Sequence, residues 1–164
     1  LFPKFVQLFY QVFHDKSCNL ANLLHLLIVH SPMKITEFHS HSDALDPDKG
    51  TRKPFANGTS VQYNHQDYRF KNNTDQLIQL RTWTENEILF GELRSESQFP
   101  FTYQIVEENH HFKKEGNYYY RNSMIYREKL DRITEQTLEK ELILKNHSKV
   151  MYDPKLIPTE MIKQ

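Results

Sequence analysis

The stretch Ser17-Cys18-Asn19-Leu20-Ala21-Asn22-Leu23-Leu24-His25-Leu26-Leu27-Ile28-Val29 decides how the rest of the chain is read. Leu20, Leu23, Leu24, Leu27 and Ile28 fall at i, i+3, i+4, i+7 and i+8, the apolar stripe of an amphipathic helix lying on a core. Ser31-Pro32 ends it, because proline disfavours helical backbone at the residue before it. The longest apolar run, Leu20 to Val29 broken by Asn22 and His25, is about half of the roughly 20 residues that span a bilayer, so no transmembrane segment is expected. Upstream, Phe2, Phe5, Val6, Leu8 and Phe9 make Leu1 to Tyr10 a short helix or strand without clear caps.

After the helix the period changes from 3.6 to 2. Lys34 to His41 reads as a short strand, followed by an exposed loop rich in Asp, Pro and Gly up to Gly58. Ser60 to Tyr63, Tyr68 to Lys71, Leu77 to Trp83 and Ile88 to Leu93 then read as strands of an antiparallel meander, separated by Asn64-His65, Asn72-Asn73 and Glu85-Asn86. Phe101 to Phe112 and Tyr118 to Tyr120 flank a turn at Lys114-Glu115-Gly116-Asn117. A second hairpin joins Ser123–Ile133 to Leu138–Lys145, and Pro154 and Pro158 mark a loose terminus. The expected class is therefore α+β, one N-terminal amphipathic helix followed by a mostly antiparallel sheet, in one domain.

Hydrophobic residues at 38%, aromatics at 13% and only four glycines describe a chain that folds rather than a disordered tail. Twenty-one basic side chains balance twenty-one acidic ones, so no overall field recruits nucleic acid. A single cysteine, Cys18, excludes an intrachain disulfide and a cysteine-rich zinc site. Gly-rich phosphate loops, a Gly-x-Ser-x-Gly elbow and a paired-histidine helix motif do not occur, which removes nucleotide hydrolysis and serine esterase chemistry. No cofactor is called for.

Cys18 stands at the entrance of the helix, where free backbone N–H groups and the helix dipole stabilise a thiolate. The plainer alternative is a small residue packing the helix start. In Glu37-Phe38-His39-Ser40-His41-Ser42-Asp43, an extended backbone puts His39 and His41 on one face, and either can act as base toward a thiol. The alternatives are a solvated histidine-rich edge, or zinc held by these histidines with Asp43, or by His14 with Asp15. His110-His111 reads as surface, and Tyr118-Tyr119-Tyr120-Arg121 as cross-strand packing rather than a stacking platform.

Ser17-Cys18-Asn19-Leu20-Ala21-Asn22-Leu23-Leu24-His25, then His30-Ser31-Pro32 and Glu37-Phe38-His39-Ser40-His41-Ser42, resemble in order and spacing the Cys-Gln-x-Ser/Ala-Asn-Leu-Leu helix and the Glu-Arg-x-x-His-Ser strand of the VanW family. Gly58-Thr59-Ser60-Val61-Gln62-Tyr63-Asn64 resembles that family's Ala-Thr-Val strand. Asp67-Tyr68-Arg69-Phe70-Lys71-Asn72-Asn73-Thr74 resembles its Asp-hydrophobic-x-Phe-Lys-Asn-Asn-Thr signature. The likeness runs from Ser17 to about Asp153, leaving residues 1–16 as an unmatched segment and 154–164 as a tail. It implies a bacterial envelope protein linked to peptidoglycan and glycopeptide resistance, acting as a cysteine L,D-transpeptidase on a stem peptide. In that reading Cys18 is the nucleophile, His41 its base and His39 the reserve, with Asn19, Glu37 and Ser42 as substrate-binding candidates. The chain carries His14-Asp15-Lys16 where the family has a glycine run, and Asn19 and Phe38 for its Gln and Arg. These departures leave a second reading, a noncatalytic module that binds peptidoglycan or a protein partner.

Overall fold

The computed structural model describes residues 4–11, 16–45 and 58–163, with side chains described over 19–45 and 58–163. Strand β1 (Lys4–Gln11) precedes helix α1 (Lys16–Val29), so the element expected to lead the chain comes second. Two short strands follow, β2 (Lys34–Glu37) and β3 (Asp43–Ala44), then β4 (Arg69–Lys71), β5 (Ile78–Glu85) and β6 (Ile88–Ser95). Three long strands complete the body, β7 (Phe101–Glu115), β8 (Tyr118–Asp131) and β9 (Thr137–Val150), and β10 (Ile162–Lys163) ends it.

The strands form three sheets. β1 and β5 both pair antiparallel with β6, giving the order β1-β6-β5. The β5–β6 turn places Asn86 at φ 48° and Glu87 at φ 63°, as a two-residue hairpin with the right-handed strand twist requires. β2 pairs antiparallel with β4, so Arg69–Lys71 leaves the expected meander and turns back toward the helix. The third sheet runs β10-β7-β8-β9-β3, antiparallel at its centre and parallel at both edges. The mostly antiparallel α+β class thus describes the molecule.

α1 lies against β6. A Cβ on Gly91 would stand 2.6 Å from Leu27 Cδ1 and 3.1 Å from Leu23 Cδ2, so this glycine lets the helix sit directly on the strand. Leu23, Leu26, Leu27 and Ile28 join Met33 and Leu93 in the main core, with Ile35, Tyr68, Phe70, Ile78, Leu89 and Ile105 packed around them. Each such side chain withdrawn from water contributes about 1.5–3 kcal/mol. The expected one-sided stripe is corrected here: Leu20 is exposed, whereas Asn22, His25 and Val29 on another face are buried. Two faces of the helix are covered, because residues 38–41 and 59 pack on the side that carries Asn22 and His25.

Arg127 joins the helix exit to the large sheet. Its guanidinium donates to the Met33 carbonyl at 3.0 Å and to the Ser31 carbonyl at 3.4 Å, and pairs with Glu141 at 2.6 Å. A second core gathers Phe112, Val150 and Ile157 with Tyr119, Tyr152, Met161 and Ile162. The terminus expected to be loose is docked: Ile157 is buried, and Ile162 and Lys163 pair with Phe112 and Lys113. The prolines end strands without freeing the chain, since Pro154 starts a 3₁₀ turn capped by Asp153.

Candidate active site

Because α1 begins at Lys16, Cys18 lies within its first turn rather than just before it; the Cys18 side chain lies outside the described residues. Asn22 follows one turn later on the same helix face. Its Oδ1 accepts the Thr59 N–H at 2.6 Å, inside the protein. Thr59 in turn bridges Ser40, and the Ser60 N–H donates to the His39 carbonyl at 2.8 Å. His25, the next residue along this face, is fully buried, stacked on Phe38 with ring centres 4.4 Å apart and edge-on to Tyr68 at 5.4 Å. His25 Nδ1 lies 3.3 Å from the Tyr68 hydroxyl, whose ionisation is pushed strongly upward by burial. These contacts tie residues 38–40 to the face of α1 that carries Asn22 and His25.

The strand expected over Lys34–His41 stops at Glu37, and Ser40 makes only an isolated bridge. Phe38 leaves the ladder to stack on His25, which ends the regular pairing. Glu37 Oε1 meets His39 Nε2 at 3.0 Å and accepts the Asp67 N–H at 3.1 Å, while Oε2 faces Arg69 Nε at 3.2 Å. The His39 hydrogen bond, followed by the Asp67 N–H and the charge of Arg69, holds the Glu37 carboxyl below the usual range. An imidazole with a carboxylate on one ring nitrogen is held in orientation with its other nitrogen left for chemistry.

His41 is half-buried. The Ser148 hydroxyl approaches its carbonyl at 3.4 Å, and the Lys149 N–H donates to the Ser42 carbonyl at 2.8 Å. Ser42 itself is exposed, and Asn19 is buried at the helix start. The geometry thus joins Glu37 to His39, sets Phe38 and Ser40 beside His25 and Thr59, and brings β9 against the carbonyls of His41 and Ser42. Among the described residues no group of three His, Cys, Asp or Glu side chains is set to hold a metal ion. His14 and Asp15 lie outside the described residues.

Reading His110-His111 as surface fails for His110. A bulge with Asn109 at φ 55° breaks the alternation, and His110 lies against Phe112 and 3.5 Å from Glu107. Arg121 is likewise buried, donating to Glu107 at 2.8 Å and to Ser123 at 3.0 Å. Tyr120 stacks on His147 at 4.5 Å, the cross-strand packing expected of that run. Sequence reasoning gave no role to Asn22, Thr59, Asn146 or Ser148. The one available signal was a polar Asn22 inside an apolar helix.

The family model described as VanW like protein matches residues 17–94, from the first turn of α1 through most of β6. No curated protein matches the chain, and no solved structure does. The matched stretch contains nearly all of α1, with Asn22, the histidine segment, Thr59, Tyr68 and β4. Residues 17–94 of this chain are thus similar to the VanW-like family.

Proposed function

We propose that this is a bacterial envelope protein that carries out cysteine-dependent L,D-transpeptidase-type acyl transfer on peptidoglycan stem peptides, with its domain running from Ser17 to about Asp153. Cys18 is the nucleophile and His41 the base, with His39, oriented by Glu37, in reserve. The observation that supports this reading is the double tie of residues 38–40, next to His41, to the helix whose first turn holds Cys18, through Asn22 to Thr59 and through His25 to Phe38. The imidazole takes the thiol proton, and the thiolate attacks the donor peptide carbonyl. A thioester forms, the peptide C–N bond breaks, and the departing amine leaves with the proton returned by the imidazolium. An acceptor amine then attacks the thioester, its proton passes to the imidazole, and the thiol is restored.

The helix N-terminus supports the thiolate, and the dipole favours negative charge at the first turn. Intact-protein mass spectrometry after incubation with a synthetic stem tetrapeptide tests the reading. An acyl adduct is expected on the native chain, none on Cys18→Ser, and a slowed adduct on His41→Ala. Absence of any adduct on the native chain sinks it. A second reading, a noncatalytic peptidoglycan- or partner-binding module, rests on His14-Asp15-Lys16 standing where the family has glycines that let backbone approach a carbonyl.

A further inference from the structure

Three buried polar side chains around residues 39–42 have an atom with no hydrogen-bond partner: Nδ2 of Asn22, Oγ1 of Thr59 and Nδ2 of Asn146. Their residues are 2%, 0% and 4% exposed. Such groups are uncommon because each forfeits its bonds to water, and leaving one unpaired is costlier than replacing it with hydrocarbon. Two of them sit on the helix side of the histidine segment, where Asn22 Oδ1 already holds the Thr59 N–H and Thr59 bridges Ser40. Asn146 sits on the other side, on β9, where its Oδ1 accepts from Ser148, the residue whose hydroxyl meets the His41 carbonyl. Asn146 lies beyond residue 94, outside the stretch that the family model matches.

We propose that Asn22, Thr59 and Asn146 are substrate-binding residues that receive peptide carbonyl and amide groups on the two sides of the histidine segment; this rests on the acyl-transfer site proposed above. Two amide N–H donors suit carbonyl oxygens, and a threonine hydroxyl can donate or accept, so the set fits peptide backbone rather than a bare anion or an apolar tail. No charged side chain among the three selects a phosphate or a metal ion. The substrate supplies the missing bonds when it enters, and β9 becomes part of the substrate path.

The test uses the full chain carrying Cys18→Ser, so that binding is measured without turnover, with a synthetic stem tetrapeptide as the probe in calorimetry. Thr59→Val and Asn146→Leu each remove the unpaired group with little change of volume, and Asn146→Leu removes the Ser148 acceptor as well. Each is expected to weaken binding about three- to tenfold, the loss of one hydrogen bond. For Thr59→Val Tm is expected to stay level or rise, because an unsatisfied polar group has been removed, whereas Asn146→Leu also takes away the acceptor of the Ser148 hydroxyl and is expected to lower Tm by the loss of one hydrogen bond. Unchanged affinity in both variants overturns the proposal. A lowered Tm of Thr59→Val with unchanged affinity also overturns it and assigns the group to internal water. No binding of the tetrapeptide by the parent chain overturns the subsite alone if the native chain still forms the adduct. Binding that depends on Thr59 and Asn146, without any adduct on Cys18, upholds the subsite and removes the catalytic reading.

Discussion

Replacing Gly91 by alanine measures how closely α1 sits on β6. The added methyl would lie 2.6 Å from Leu27 Cδ1, about 1 Å inside ordinary carbon contact, with Leu23 Cδ2 and Cγ at 3.1 and 3.3 Å. Leu23 and Leu27 are both fully buried, so neither can swing into solvent. Overpacking of this kind costs about 1–3 kcal/mol, and the smaller backbone freedom of alanine in the unfolded chain offsets about 0.5–1 kcal/mol. A net loss of about 1–2 kcal/mol remains. For 164 residues the unfolding entropy near 60 °C is about 0.34 kcal/mol/K, which makes this a fall in Tm of about 3–6 °C. Urea titration with unchanged m value should give the same figure. In a double-mutant cycle, Leu27→Ala should relieve part of the strain, so the two losses should not add. A neutral or stabilising Gly91→Ala, or strict additivity with Leu27→Ala, would refute the close approach and with it the depth at which α1 presents its first turn.

Two further outcomes follow from the same contacts. Arg127→Met keeps the aliphatic stem but loses the donors to Ser31 and Met33, and should cost about 2–3 kcal/mol in urea unfolding. Glu141→Gln, at a partner 56% exposed, should cost below about 1 kcal/mol, and equal losses would contradict the assignment. Burial holds the His30 imidazole below its ordinary pKa, the hydrogen bond to the Leu26 carbonyl opposing it. As pH falls through about 6.5 the unfolded chain takes up this proton before the folded one, so stability declines with a slope of up to about 1.4 kcal/mol per pH unit. His30→Asn should flatten that part of the pH–stability curve, and an unaltered slope would remove His30 as its cause.

Local patterns carried the fold a long way. The 3.6-residue period located α1, and alternation with turn residues located β5, β6, β7 and the β8–β9 hairpin. What they could not supply were pairings between distant segments. Tyr118 to Tyr120 and Ser123 to Ile133 read as separate strands, yet β8 runs unbroken through Arg121, which turns inward to Glu107 and is neutralised by it. The terminal prolines gave no hint that Ile157 fills the second core. At the candidate site, Cys18 and the histidines were visible as residue types. Asn22 and Thr59 were not, because their bond joins residues 37 apart and depends on where Phe38 stacks.

The edge of the large sheet at β9 has a consequence for behaviour at high concentration. Among the described residues β3 pairs with that edge opposite Lys149 and Val150 alone. The exposed part of β9 from Thr137 to Leu142 therefore offers, among the described residues, backbone groups to any second strand that arrives. Glu139, Lys140 and Glu141 stand in the uncovered portion, and Lys140 and Glu141 are each engaged with carboxylate or guanidinium on neighbouring strands. Solvated charge of this kind resists edge-to-edge stacking, so the segment that contributes least to the interior guards the protein against self-association into aggregates.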